Sequence, residues 1–400
     1  MSVSPALQRR RDYAGPALFA YGFRPFFLVA GAWAAFGILF WLPQYNGALT
    51  LPANFSALDW HIHEMLYGYT AAVIGGFLLT AIPNWTGRLP VSGVPLAALA
   101  LLWLAGRVAV LFSAAIGGTL AAAIDVAFLA TLAAVAAREI VAGKNWRNLR
   151  VLIVVGVLIL GNVVFHVEVL RSGAADYGIR IGIGAIILLI SLIGGRIVPS
   201  FTSNWLTKNK PGRLPVAFAR FDMATIGVSA AALIAWVIAP VQPWAGAILI
   251  AAGVLQAVRL SRWAGDRTFP DRLVLVLHVG YAFVPLGFLL VGASTWLQSV
   301  PPSAGIHAWT AGAIGMMTLA VMTRATLGHT GQPLRAGSAT QLAYGLVLAA
   351  ALLRICAAFE SSMAMINAAG VLWIAGFVCF LVFYGPLLVM RKPAWAAARV

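Results

Sequence analysis

Residues 151–170 read VLIVVGVLILGNVVFHVEVL, twenty residues with one carboxylate and one histidine among otherwise apolar or small side chains. A run of about 20 such residues is long enough, as a helix, to cross the hydrocarbon core of a bilayer. Eleven further runs resemble it. The twelve extend over about 23–42, 60–83, 94–113, 117–137, 150–170, 180–201, 218–239, 243–259, 272–293, 304–325, 338–357 and 365–390. Together they occupy most of the 400 residues and leave no room for a soluble domain of useful size. The composition agrees: 62% hydrophobic, 10% charged, with a mean hydropathy of +0.92, far from soluble averages. The expected fold is an all-α integral membrane protein of about twelve transmembrane helices, one polytopic domain over 1–400 with tails at 1–22 and 391–400.

Basic residues orient the spans, because short cytoplasmic loops retain Lys and Arg. The even-numbered connections and the two tails hold 21 of the 27 Lys and Arg, the opposite side only Arg171 and Arg180, and Arg24, Arg107, Arg196 and Arg354 stay in or beside spans. Both termini are therefore expected in the cytoplasm, with no cleavable leader ahead of Arg9, Arg10 and Arg11. The net charge of +16 is spread over many loops rather than gathered on one stripe, so it argues for membrane orientation and against nucleic acid. Cys356 and Cys379 lie in apolar runs. They support no disulfide framework, no zinc ribbon and no Cys-x-x-Cys-His haem attachment.

An internal repeat is faintly visible. Gly75-Gly76 and Gly194-Gly195 are 119 residues apart, Asn84-Trp85 recurs as Asn204-Trp205 at 120, and Gly315 lies another 120 on. This spacing would fit three four-helix units around metal sites. Asn84 and Asn204 follow prolines read as helix ends, where they could cap or bridge helices.

The chemistry is expected from the six histidines. His61 and His63 open the second run, His166 is near the outer end of the fifth and His307 opens the tenth, so four gather at the outer level. His278 lies roughly 9 Å into the ninth run from the cytoplasmic side, and His329 falls in the loop after the tenth. A lone intramembrane histidine often only hydrogen-bonds a neighbouring helix, but four at one depth point to a metal, since neutral imidazole brings no charge into the hydrocarbon. In a regular helix His61 and His63 lie about 200° apart; they would serve two centres, or one would ligate while the other hydrogen-bonds. His-Glu-x-x-His spacing is missing, which leaves a zinc peptidase unsupported. Glu64 could orient an imidazole or carry protons, or favour the helix start as a first-turn carboxylate, and Tyr67 shares the face of His63 at i,i+4. Arg24, Arg196 and Arg324, on the cytoplasmic side, could clamp anionic propionates or an anionic substrate, with snorkelling as the alternative for Arg24 and Arg324.

These motifs resemble a known family. Gly-Phe-Arg-Pro-Phe-Phe at 22–27, Trp-His-Ile-His-Glu-Met at 60–65, Gly-Gly-Phe-Leu-Leu-Thr-Ala-Ile-Pro-Asn-Trp-Thr-Gly-Arg at 75–88, Gly-Gly-Arg-Ile-Val-Pro-Ser-Phe-Thr-Ser-Asn-Trp-Leu at 194–206, Leu-His-Val-Gly-Tyr at 277–281 and Thr-Arg-Ala-Thr-Leu-Gly-His-Thr-Gly at 323–331 look like the NnrS family, over nearly the whole chain. The resemblance implies a bacterial inner-membrane protein of twelve helices, carrying haem and copper, in the response to nitric oxide. Haem-copper oxidases and respiratory nitric-oxide reductases are similar in architecture only, since their adjacent His-His pair is missing here. The expectation is a non-covalent b-type haem with copper nearby, ligated from among His61, His63, His166, His307 and His278, binding nitric oxide. Coupling two molecules to nitrous oxide would use Glu64 and Tyr67 as donors and a quinol or external electron donor. Reversible binding as a sensor or scavenger would need no donor, and a secondary transporter would use the histidines as proton relays.

Overall fold

The computed structural model describes residues 13–390; the two tails assigned to the ends lie wholly or partly outside them. All described secondary structure is helical, and twelve helices are long and apolar enough to cross a membrane. They are α1 (Phe23–Tyr45), α2 (Ala57–Thr86), α3 (Val94–Leu111), α4 (Gly118–Ala142), α5 (Leu149–Ser172), α6 (Tyr177–Asn209), α7 (Arg220–Ile238), α8 (Pro243–Ser261), α9 (Arg272–Ala293), α10 (Pro302–Thr330), α11 (Ser338–Glu360) and α12 (Met363–Val389). Each of the twelve apolar runs becomes one helix, and the chain is a multi-pass membrane protein.

Local chemistry accounts for the ends. Ser56 accepts the Asp59 backbone N–H at 3.0 Å and starts α2, and Asp271 accepts from the N–H groups of Leu273 and Val274 to start α9. The prolines do not end helices as expected. Pro83 and Pro199 both lie inside, and α2 and α6 run on to Thr86 and Asn209. In hydrocarbon an interrupted helix is costlier than one missing hydrogen bond, and Asn84, expected to cap or bridge helices, donates within its own helix to the Thr80 carbonyl. α10 is also longer than its apolar run and carries His329 inside it, stacked near Tyr21 and Phe23 with ring centroids 5.4 Å away in each case, rather than in a loop.

Two helices share an unusual construction. In α2 and α10 a short α segment ends on a histidine, His63 or His307; a seven-residue π turn follows, Glu64–Thr70 or Ala308–Ile314; then a 16-residue α segment runs to Thr86 or Thr330. The next residue in each case, Gly87 or Gly331, has a positive φ that favours glycine. Single π turns concentrate at functional sites because they redirect side chains without breaking the helix.

The helices cluster into two compact units rather than the three suggested by the 120-residue spacing. Among the described residues, one comprises 13–178 together with Met322–Pro333 and 380–390; the other comprises Ile179–Val321 and Leu334–Cys379. The recurring glycines nevertheless have similar roles. Gly75 and Gly76 admit Phe26, Phe27 and Phe128; Gly194 and Gly195 admit Tyr281, Met317 and the Arg259 guanidinium; Gly315 admits Trp373. Lipid tails are as apolar as leucine, so helices associate through such close contacts and through polar pairs.

The second unit has a buried polar knot. Arg259, placed by sequence in a cytoplasmic connection, is 0% exposed. Its Nε donates to Asp222 on α7 at 2.9 Å, and its fork donates to the Ser191 carbonyl on α6 and to the Tyr281 hydroxyl on α9. Tyr281 in turn donates to Gln256 at 2.7 Å, so four helices are tied together. Arg259→Met should destabilise the protein by roughly 3 to 5 kcal/mol, since it leaves the buried Asp222 carboxylate with only Arg262, 3.9 Å from its other oxygen, as counter-charge. Denaturation in detergent would check this, with Asp222→Asn/Arg259→Met expected to recover much of the loss.

Candidate metal centre

The first unit gathers its ionisable groups around His63, which is 0% exposed. The π turn that begins one residue later carries Glu64 and brings Tyr67 beside the histidine, their ring centroids 5.4 Å apart. The wide turn is visible in the Thr70 hydroxyl, which donates to the carbonyl of Met65, five residues earlier, at 2.7 Å. His61 behaves as the helical angle requires. Its ring stacks on Trp41 of α1, centroids 4.1 Å apart and 22° from parallel, away from His63.

Three more helices supply partners. From α3, Arg107 donates to Glu64 Oε1 at 2.7 Å and, through its other terminal nitrogen, to Asp125 Oδ1 of α4. From α5, the Asn162 amide donates to Asp125 Oδ2 at 2.8 Å, and His166 Nε2 lies 3.0 Å from the same oxygen. The two ring nitrogens of His63 both face carboxylates, Nδ1 at 3.0 Å from Glu64 and Nε2 at 3.2 Å from Asp125. Trp33 of α1 donates to Glu64 Oε2 at 2.6 Å.

Small residues make this convergence possible. A Cβ on Gly106 would stand 3.1 Å from Asp125 Cα, so α3 and α4 approach closely where Arg107 and Asp125 meet. A Cβ on Gly68 would stand 2.8 Å from Arg107 and 2.9 Å from both Glu64 and Trp33. Only glycine leaves the guanidinium its path to Glu64. Phe55 and Phe165 close the sides, with centroids 5.3 and 5.2 Å from the His63 ring.

The donor atoms of His63, Asp125 and His166 lie within 4.8 Å of one another, all three residues are buried, and the group could hold a metal ion. With metal–nitrogen bonds of about 2.0 Å, neighbouring donors of a tetrahedral ion stand about 3.3 Å apart, close to the 3.2 and 3.0 Å from Asp125 Oδ2 to Nε2 of His63 and His166. The surroundings also suit ligation. A histidine that binds a metal through one nitrogen commonly donates its other N–H to a carboxylate, the relation of His63 Nδ1 to Glu64 Oε1.

The other expected site residues are placed elsewhere. Tyr67 donates its hydroxyl to the Gly178 carbonyl at 2.7 Å. Arg24 donates to the carbonyls of Leu387, Leu388 and Met390, satisfying the end of α12. Arg324 is half-buried near the end of α10. In the second unit, Arg196 is half-buried on α6. His278 approaches the Thr202 hydroxyl at 2.8 Å through Nε2, and His307 Nδ1 lies 2.7 Å from the Ser303 carbonyl. Asp125 and Asn162 were not singled out from the sequence, and Arg107 was noted without a role. A usable signal was there: Asp125 is an acid in the middle of an apolar run, and such a residue requires a partner on another helix.

His63→Ala, His166→Ala and Asp125→Asn should each lower the tightly bound metal of the purified protein by at least about tenfold in affinity, whereas His61→Ala should leave it unchanged. Metal analysis after dialysis against a competing chelator would read the difference.

The fold and this cluster can be set beside known proteins. No curated protein matches the chain. The model of one family, described as NnrS protein, matches residues 17–392. With nearly the whole sequence accounted for by that match, the chain belongs to the NnrS family.

Proposed function

We propose that this protein is a bacterial inner-membrane metalloprotein of the nitric-oxide response that binds nitric oxide at a histidine-ligated metal centre, with haem b and copper as its cofactors. The observation that carries the reading is the convergence of His63, His166 and Asp125 in a fully buried pocket of a membrane protein. Membership of the NnrS family points to the gas and the cofactors.

The two cofactors fit different residues. Copper fits the His63–His166–Asp125 group, whose imidazoles suit that metal. A haem does not fit there, because Asp125 stands within 3.2 Å of Nε2 of both histidines and leaves no room for a macrocycle. His307 fits a haem ligand better. With its Nδ1–H donated to the Ser303 carbonyl, Nε2 is left as the unprotonated nitrogen that iron requires. When bound, the cofactors supply an open coordination position for a diatomic gas. The protein contributes the apolar surroundings through which a small uncharged molecule can enter from lipid, the imidazole ligands, and the carboxylates that hold them.

Reduction of nitric oxide is the second function proposed for the same centre. Two molecules with two electrons and two protons give one nitrous oxide and one water, so a quinol or external donor must supply the electrons. Tyr67 is the residue beside the centre that carries a proton to donate, and Glu64, ionised against Arg107, would first have to take one up. Their present bonds, Glu64 to Arg107, Trp33 and His63 and Tyr67 to Gly178, favour reversible binding over turnover. The gathering of basic residues in the even-numbered connections supports a cytoplasmic position for both termini.

The test is the reduced optical spectrum of detergent-purified protein, with metal analysis, before and after anaerobic nitric oxide. A b-type Soret band that shifts with the gas, lost in His307→Ala, together with copper lost in His63→Ala/His166→Ala, is expected. A colourless, metal-free preparation that stays so after haem and copper supplementation would overturn the reading in favour of a transporter. A carboxy-terminal fluorescent-protein fusion should fluoresce and an alkaline phosphatase fusion at the same place should be inactive.

A further inference from the structure

The groups around His63 carry a fixed charge that can be counted. Glu64 and Asp125 each bring one negative charge, both ionised because each is salt-bridged to a guanidinium, and Arg107 brings the one positive charge that serves them both. His63 and His166 ligate a metal only as neutral imidazoles, and Asn162, Trp33 and Tyr67 are uncharged. None of the charged side chains is more than 2% exposed. With the imidazoles neutral the pocket carries one uncompensated negative charge, and both nitrogens of His63 point at oxygens, Nδ1 at Glu64 and Nε2 at Asp125 and, 3.1 Å away, at the Asn162 amide. One unit of positive charge is what the pocket lacks.

From this we infer that Arg107 is the residue that selects the charge of the bound ion, setting the His63–His166–Asp125 centre for a monovalent cation such as Cu(I) over a divalent one. The inference rests on the metal-centre reading above and adds the ion's charge to it. A monovalent ion brings the buried cluster to neutrality. A divalent ion leaves a net positive charge, which is costly in a low-dielectric interior unless an anion accompanies it. Ligand type alone does not make this choice, because imidazole suits Zn(II) as well as copper. Asp125 is also engaged on both oxygens, by Arg107 on one and by Asn162 on the other, so it acts more as fixed counter-charge than as a free ligand. Arg107 reaches both carboxylates only because Gly68 and Gly106 leave it space.

Arg107 touches no ligand nitrogen, so it is a positioning and charge-setting residue, and its test must separate charge from structure. Full-length protein in detergent is titrated with Ag(I), a redox-inert monovalent probe, and with Zn(II). Binding to His63→Ala/His166→Ala is subtracted to remove the contribution of Cys356 and Cys379. Arg107→Gln, which takes the fixed charge from one negative to two, should shift the Ag(I)-to-Zn(II) affinity ratio toward zinc by about tenfold or more. Glu64→Gln, which makes the pocket neutral, should shift it toward silver. Glu64→Gln/Arg107→Gln restores a single negative charge and should restore the wild-type ratio, a rescue that a purely structural role would not produce. If Arg107→Gln does not fold, the ratios in the two Glu64→Gln proteins decide the matter. An unchanged ratio in Arg107→Gln or Glu64→Gln, with both ions bound, overturns the inference and leaves the metal centre standing. No His63- and His166-dependent binding of either ion to the wild type overturns both.

Discussion

A carboxylate in hydrocarbon must find a positive partner, and in the first unit one guanidinium serves two of them. Arg107 grips Glu64 and Asp125 at once, and from that grip the local architecture follows. α2, α3 and α4 must meet at one level. Gly68 and Gly106 must be bare so that they can. His63 is left between the two acids with His166 beside it. Burying these charges gains little as simple stabilisation, because removing ions from water costs about as much as their attraction returns. What it secures is position: each member has its partner only in this one arrangement.

The second unit solves the same electrostatic problem without a metal-like group. Arg259 and Asp222 pair directly, and Nη1 of Arg259 donates to Ser191 and to Tyr281, which itself donates to Gln256. Arginine and its partners there tie helices together. In the first unit one acid more than the arginine can neutralise is kept beside two imidazoles. That difference between a neutralised carboxylate and an under-neutralised pair distinguishes a structural tie from a candidate site, although both contain buried arginine and aspartate on separate helices.

α2 and α10 are built alike, with a histidine, a π turn and a glycine-ended helix in the same order, yet their histidines have different neighbours. His63 meets two carboxylates, whereas His307 meets the backbone carbonyl of Ser303. The π turn gives the histidine a redirected helix behind it, and the neighbouring helices decide what it then does. The first setting surrounds an imidazole with carboxylates, and the second ties its Nδ1 to a backbone carbonyl.

The twelve spans were legible in the sequence because span length and hydrophobicity are set by the bilayer and need no knowledge of neighbours. The divergence of His61 from His63 was legible as well, since it follows from the 100° step of a helix. What escaped was whatever depends on two helices meeting. Asp125 and Arg107 are 18 residues apart on different helices, and Arg259 and Asp222 are 37 apart, so no local pattern links them, and Arg259 at the edge of its run reads as one more loop cation. Pro83 and Pro199 read as stops, but the bilayer's penalty on exposed backbone carries both helices through. The sequence by itself determined that this chain spans a membrane twelve times and carries histidines in or beside its apolar runs. The tertiary structure alone decided which of them share a centre, because that choice is made by the close approach of α2, α3, α4 and α5 and by the charges those helices must neutralise together.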